Sequence, residues 1–413
     1  MKRIAVLCFA AAVGAANTAQ AQLTMQMTNG WSFTFSGNVN AFLTYQFSNN
    51  TDTAAIVGSA VPTGQGDFAR IRTGLLPAFA VFEAKGKELG QDITVHFGFA
   101  PQINSPGVHD VFGAQIDMRQ VYLQVGGTWG SILAGRELGL FQRENILTDM
   151  TLFGTGAFGG SLGAGGTTLG RIGFGYIYPN FNAQITYSTP ATTPIQWSIG
   201  LFDPSAVAPG ATGAASALFP FTPIPRVETE LSYTSKFGQA GAGGAPSTNA
   251  ALFWVGGAWQ KAYSNPGDTG TSINSEGADA GVKLDISSLS IVGSGYYGKG
   301  IGTTLMFTVL PVDATGVGRK SYGYVGQVVY KVDPKWSVGA SWGQSLLDAT
   351  DADKADGAAG GLLKANSMGT GTIVYQATKS LKVVGEYDLT QATDHNGGKN
   401  TVDQAGLGMM VFF

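Results

Sequence analysis

From Ser32 to Ser48 the chain alternates between two kinds of residue. Phe33, Phe35, Val39, Ala41, Leu43, Tyr45 and Phe47 are apolar, the intervening positions are mostly Ser, Thr, Asn and Gln, and Phe42 alone breaks the phase. A period of two is that of a β-strand whose faces meet different environments. Similar segments recur near 68–85, 92–101, 115–126, 129–136, 180–189, 195–203, 226–237, 249–263, 276–286, 289–299, 321–331, 336–344, 365–375, 381–390 and 402–413, sixteen in all. The last sets Ala405, Leu407, Met409, Val411 and Phe413 against Gly406, Gly408 and Met410. An exposed apolar strand invites edge-to-edge pairing in water, but it is safe when it closes a barrel surrounded by lipid.

The connections alternate as well. Ser287-Ser288, 332–335 and 190–194 are tight, whereas 49–67, 102–114, 204–225, 300–320, 345–364 and 391–401 are long and rich in Gly, Pro and Asp. Transmembrane barrels of the outer-membrane type have short turns on one side and long loops on the other, and an even strand count. The connection from Gly238 to Thr248 is too long for this rule. A β-solenoid would show a fixed self-similar period, and none is visible.

Composition narrows the class. Charged residues make up 12% and Gly supplies 61 of 413 positions, against usual shares of about 25% and about 7%. Wall strands that half face lipid need few charges, and curved sheets need small residues. Lys2 and Arg3 precede an apolar run from Ile4 to Ala16, and Ala19-Gln20-Ala21 supplies a small-x-small cleavage pattern. Residues 1–21 read as a secretory signal peptide, too short to cross roughly 30 Å of hydrocarbon as a helix. Residues 22–413 form the barrel domain. Cleavage removes Cys8, the one cysteine, and shifts the formal charge from −3 to −5 by loss of Lys2 and Arg3. Mild acidity offers no basic patch for nucleic acid.

After Gly135-Arg136 the alternation lapses until about Pro179. A connection of that length in a compact domain is usually functional. Arg119-Gln120-Val121-Tyr122-Leu123, Gly130, Gly135-Arg136, the Gly/Phe-rich stretch that follows, Tyr187-Ser188-Thr189-Pro190, Phe202-Asp203 and the terminal Phe413 resemble, in that order, the Gram-negative trimeric porins. The resemblance implies a sixteen-stranded antiparallel transmembrane β-barrel in the outer membrane, assembled as a homotrimer. Its third loop, 137–180, would fold into the lumen as the constriction, with loop acids facing wall arginines. Phe413 would belong to the signal read by the barrel-insertion machinery. Arg119 and Arg136 match the family's wall arginines through their flanking residues. Arg70 and Arg72, at i and i+2, share one face, and the cost of charge against lipid makes that face the lumen. Arg119 shares a phase with Val121 and Leu123, a conflict that a β-bulge would resolve. The acidic candidates are Glu137, Glu144 and Asp149, and Arg143 is a basic one.

Other motifs lack their context. Gly154 to Gly159 matches G-x-G-x-x-G, but no strand, helix and later acid surround it. Gly159 to Gly163 matches G-x-S-x-G around Ser161, yet only His395 follows to complete a triad. His96, His109 and His395 have no zinc spacing. Asp348, Asp351, Asp353 and Asp356 in the seventh external loop could hold Ca²⁺, though without EF-hand order.

The expectation is a passive, water-filled channel for small hydrophilic solutes and ions, with no catalysis, cofactor or metal. The alternatives are a solute-specific channel and a closed structural or adhesive barrel. Lumen-phase Glu228, Asp279 and Glu386 lean towards cations, while the arginines oppose that. N-terminal mass spectrometry of the exported protein should find Gln22 first, and a retained Met1 would contradict the cleavage reading.

Overall fold

The computed structural model describes residues 23–28, 30–48, 56–61, 66–103, 116–159, 167–207, 218–238, 249–355 and 357–413. The predicted signal segment and the 239–248 part of the anomalous turn lie outside them. The described chain is one antiparallel sheet of eighteen strands. They are β1 (Leu23–Gln26), β2 (Ser32–Ser48), β3 (Phe68–Arg72), β4 (Phe79–Glu88), β5 (Gln91–Pro101), β6 (Ile116–Gly127), β7 (Gly130–Leu138), β8 (Phe181–Ser188) and β9 (Ile195–Phe202). The series continues with β10 (Arg226–Lys236), β11 (Ala250–Asn265), β12 (Thr269–Ile286), β13 (Leu289–Lys299), β14 (Lys320–Lys331), β15 (Trp336–Leu347), β16 (Leu363–Gln376), β17 (Leu381–Asp394) and β18 (Lys399–Phe412).

Eighteen strands fill sixteen wall positions. β3 and β4 both pair with β2, at Phe42–Gln46 and Ser32–Asn38 respectively, so they are two halves of one wall strand. The short β1 pairs with β2 at Ser32–Phe35, beyond the point where β18 ends. The wall closes where β18 pairs with β2, from Val402↔Ser48 to Phe412↔Asn38. Phe413 completes that seam. Its N–H donates to the Gly37 carbonyl at 3.0 Å, its carbonyl accepts from Gly37 N–H at 2.8 Å, and its ring lies 5.2 Å from Phe35.

The burial of the wall is inverted relative to a soluble sheet. Leu43, Ile71, Leu123, Ile185, Leu201, Val255, Trp342, Leu389 and Leu407 are exposed, while the alternate phase buries Asn40, Thr44, Gln120, Gln184, Gln327, Ser341, Thr370, Asp388 and Gln404. Hydrocarbon can solvate the first set and not the second, so the apolar phase is the lipid face. Trp129, Tyr187 and Trp197 form a run of ring contacts near the short turns, and Trp336 packs on Tyr375 there. Such amphipathic rings mark a membrane interface.

Two sequence expectations need correction. The strand expected over 68–85 is broken at residues 73–78, because Pro77 has no N–H to give the ladder and the segment turns inward. Asn side chains replace the lost pairing. Asn40 Nδ2 donates to the Leu76 carbonyl and Asn38 Nδ2 to that of Pro77, while Asn40 Oδ1 accepts from Gly74 N–H. The connection expected over 391–401 is only the turn 395–398, held by Asp394 Oδ1 accepting from Asn396 and Gly398 N–H, both at 2.8 Å. β11 and β12 run on to Asn265 and from Thr269, which makes the fifth external connection a turn as well.

The described parts of the first, sixth and seventh external loops pack together. Ile56, Val61, Leu310, Leu347 and Leu362 share one buried cluster with Phe174. Arg319 bridges the sixth loop to Asp353 on a short helix (Asp351–Ala355) of the seventh through two bonds of 2.8 and 2.7 Å. Asp353 therefore has both oxygens committed, Asp356 lies outside the described residues, and no metal-binding cluster occurs among the described residues.

Placing a charge on the lipid face should separate the two phases. Leu407→Arg, near mid-strand on β18, should destabilise the barrel by about 2–4 kcal/mol in a reversible bilayer-refolding titration. Unchanged stability would mean that this face does not meet hydrocarbon.

Candidate pore site

The long connection between β7 and β8, residues 139–180, bonds to wall side chains of the lumen phase around most of the barrel. Glu228 Oε2 accepts from Leu140 N–H at 2.7 Å and Phe141 N–H at 3.0 Å, and Asp279 Oδ2 accepts from Gln142 N–H at 3.1 Å. A helix follows (α1, Arg143–Thr148). Its Arg143 donates to Glu230, while Asn145 accepts from Trp254 Nε1 at 2.9 Å. Gln327 clamps the helix end, accepting from Met150 N–H and donating to the Thr148 carbonyl. Glu386 Oε1 then accepts from Thr155 N–H (2.8 Å), Thr155 Oγ1 (2.9 Å) and Gly156 N–H.

The chain returns over the same ground. Ala157 N–H donates to Gly170 O and Leu169 N–H to Ala157 O, so the two passes pair as a hairpin whose tip, 160–166, lies outside the described residues. Gly156 and Gly170 meet at φ +54° and +56°, where a Cβ on Gly156 would stand 2.4 Å from the Gly170 Cα. Only glycine fits both the left-handed backbone and that approach. On the way back Arg171 donates to Ser341 Oγ and, at 3.0 Å, to the Met368 carbonyl. Gly175 N–H donates to Ser345 Oγ at 2.9 Å. Together these contacts lay the loop along the inner face of β10–β18.

The wall carboxylates bind backbone N–H groups of the loop. An irregular segment carries donors that its own structure does not satisfy, and a buried unpaired donor costs about 1–3 kcal/mol. Glu228, Asp279 and Glu386, read from the sequence as cation-favouring lumen acids, instead fasten the loop. The Gly154–Gly159 stretch is likewise an anchor point, with neither a strand before it nor a helix after it. Ser161 lies outside the described residues.

The candidate residues divide by phase. Arg72 is buried and points inward, donating from Nη1 to Phe158 O at 3.1 Å and from Nη2 to Thr167 O at 2.6 Å. It ties the hairpin to β3. Arg70 shares its face, half-buried over the Phe68 ring at 5.1 Å. At Arg119 the register with β5 jumps from Gly98↔Gln120 to Phe99↔Met118, leaving Arg119 as the extra residue of a bulge. That turns it inward, with Nε on Asp117 at 2.8 Å and the guanidinium 5.6 Å from the Phe181 ring centroid.

Arg136 and Glu137 need correction. Arg136 pairs with Val121 and Ala183 on the lipid phase and is exposed, its Nε on the Met118 carbonyl, so period two takes it out of the lumen. Its neighbour Glu137 takes the inward place, on strand β7 rather than on the loop, because β7 runs to Leu138. Glu137 accepts from Gln120 Nε2 at 2.8 Å and is buried. Asp149 is turned into the loop itself, accepting from Thr151 N–H, Thr151 Oγ1 and Tyr176 O–H at 2.9, 2.7 and 2.8 Å. Glu144 alone of the three acids sits half-buried on α1. Burial, with Glu230 nearby, pushes its carboxyl up to about 7.

Between the loop and the wall from β4 to β8 the lining is apolar. Leu75, Leu76 and Phe79 face Leu152, Phe153 and Leu169 around a cavity of about 140 Å³, with Arg119 on its margin. Nothing in the charge pattern announced this. The available signal was apolar residues standing in the polar phase. Phe42 and Met410 are such residues, and both are fully buried in the cluster that holds Leu75, Leu76 and Leu152. Arg171, fully buried, was also missed, since a single arginine in a glycine-rich loop carries no periodic signal.

Removing one anchor tests the arrangement. Glu386→Ala leaves the donors of Thr155 and Gly156 unpaired, at a cost of about 1–3 kcal/mol. Proteinase K should then cut between Phe153 and Phe158 in the variant and not in the parent protein. Equal resistance would contradict the anchoring role.

The sequence model of the Gram-negative porins matches residues 5–408. Among curated proteins, none matches the sequence. Solved structures share the fold at low identity. The outer membrane channel DcaP of Acinetobacter baumannii superposes with a TM-score of 0.67 at 13% identity, covering 94% of this chain and 99% of that one. An anion-selective porin from Comamonas acidovorans gives 0.60 at 13% identity, covering 93% and 100%. OmpF of Salmonella typhi, in complex with daunomycin, gives 0.55 at 13% identity, covering 95% and 100%.

Proposed function

The chain belongs to the Gram-negative porin family, and from that premise we propose that it is a passive outer-membrane channel whose limiting section lies between the loop after β7 and the wall from β4 to β8. The family places it in the outer membrane as a route for small solutes. The observation that carries the finer reading is the fastening of the loop by Glu228, Asp279 and Glu386 along β10–β18, which leaves the opposite side as the passage. On this reading the channel couples no energy and performs no chemistry. Solutes and ions would pass down their own gradients, selected by width and by the groups at the margin. Arg70 and Arg119 are the candidates for that margin, Glu144 acts on the passage through its field from the β10–β12 side of the loop, and Arg72 and Asp149 hold the loop in shape. A homotrimer fits the family, and one solved relative of this fold, OmpT of Vibrio cholerae, is described in a trimer form. Phe413, paired at the barrel seam, remains the candidate assembly signal.

A solute-specific channel is the second reading. It is favoured by the apolar lining of the passage, which a general pore for hydrophilic solutes does not need.

Liposomes carrying the purified protein should swell in small sugars, and the absence of swelling would favour a closed structural barrel. Ion preference should also depend on pH. Glu144 faces Glu230 on β10, Asp279 and Lys283 on β12, and Arg143 beside it. With its carboxyl raised to about 7, Glu144 is neutral in acid and gains charge as pH rises through neutrality. The reversal potential under a salt gradient should therefore shift towards cations above neutral pH, and Glu144→Gln should remove the shift. A parent channel without pH dependence would contradict the role of Glu144.

A further inference from the structure

We propose that the passage contains a binding site for a small aromatic carboxylate, a benzoate-sized anion, beside Arg119. The inference rests on the channel reading and names the solute class that its limiting section selects.

Size and lining come first. The cavity of about 140 Å³ is bounded by Leu75, Leu76, Phe79, Leu152, Phe153 and Leu169. A cavity of about 150 Å³ lined by such residues stays dry and accepts benzene. One aromatic ring fills the space.

The polar groups are few and placed at the margin. Among the described lining residues, Arg119 is the one with a fixed charge. Its Nε is committed to Asp117, and its guanidinium edge stands over Phe181 in the same lining. Guanidinium binds carboxylates through paired N–H donors. Thr168, 2% exposed and also in the lining, has an Oγ1 with no hydrogen-bond partner among the described residues. It is a hydroxyl available to a polar substituent.

A second cation stands behind the ring of Phe153. Lys382 Nζ lies 4.1 Å from that ring and 5.3 Å from Phe412. No carboxylate among the described residues comes within 4.0 Å of it. Lys382 thus stands as a second cation beside a lining ring. An apolar slot with Arg119 in its lining discriminates on both features of an aromatic carboxylate. The ring supplies the burial, and the charge fixes the orientation.

The full-length channel in planar bilayers, with ion current as the readout, tests this with benzoate, acetate and benzyl alcohol as probes. Benzoate should interrupt the current saturably. Acetate should block roughly tenfold or more weakly for want of a ring. Benzyl alcohol should also block roughly tenfold more weakly, for want of the charged hydrogen bonds. Arg119→Gln should weaken benzoate block and leave benzyl alcohol unchanged, which also shows that the pore of the variant is intact. Leu152→Asn should raise ion conductance and abolish the preference for the ring. Equal block by benzyl alcohol would overturn the anion recognition, and equal block by acetate would overturn the ring site. If the parent protein conducts no ions at all, it is the channel reading beneath the proposal that fails.

Discussion

Everything in this structure follows from surrounding a closed sheet with hydrocarbon. Lipid cannot hydrogen-bond, so the wall must turn its apolar phase outward and take its polar phase inside. The interior then contains more carboxylates, amides and hydroxyls than a small cavity can leave unsatisfied. An irregular loop has the reverse problem, because it carries backbone donors and acceptors with no ladder to join. The loop after β7 solves both at once. Its N–H groups meet Glu228, Asp279 and Glu386, and its carbonyls meet Arg72 and Gln327.

That mutual satisfaction has a consequence for transport. Charges spent on fastening the loop are not displayed to a passing ion. What remains on the passage side is the apolar edge of the hairpin, facing the wall from β4 to β8. The break in the wall strand belongs to the same design. Pro77 ends the ladder, Asn38 and Asn40 take over its hydrogen bonds, and Leu75 and Leu76 are brought to face the loop. Their N–H groups reach the carbonyls of Gly154 and Leu152 at 3.0 and 3.2 Å, which joins wall and loop directly.

The barrel was legible because its signals are periodic. Sixteen alternating segments, the tight turns and the long loops reflect one repeated environment, so errors at single positions averaged out. The bulge at Arg119 was legible as well, since a charge in the lipid phase has few other resolutions. The site was less readable, for two reasons. Charge type does not reveal whether a lumen carboxylate faces water or caps a loop amide, and Glu386 does the second. Phase near a strand end is sensitive to one residue, so Arg136 faces out and Glu137 takes the inward place on the strand. Phe42 was visible as an exception without an explanation. Its partners, Gly74 and Gly408 among them, come from segments far away in sequence.

The central claim is that the loop lies against β10–β18 and leaves the passage on its other side. The mature chain expected from the sequence has no cysteine, Cys8 being in the signal segment, so single thiols can report which surface solutes reach. A charged, water-soluble thiol reagent added to open channels should change the current through Leu147→Cys and Leu169→Cys, which line the passage. It should not change the current through Ser341→Cys, which sits behind the loop on Arg171. Rapid modification at Ser341→Cys with none at Leu147→Cys and Leu169→Cys would contradict the account.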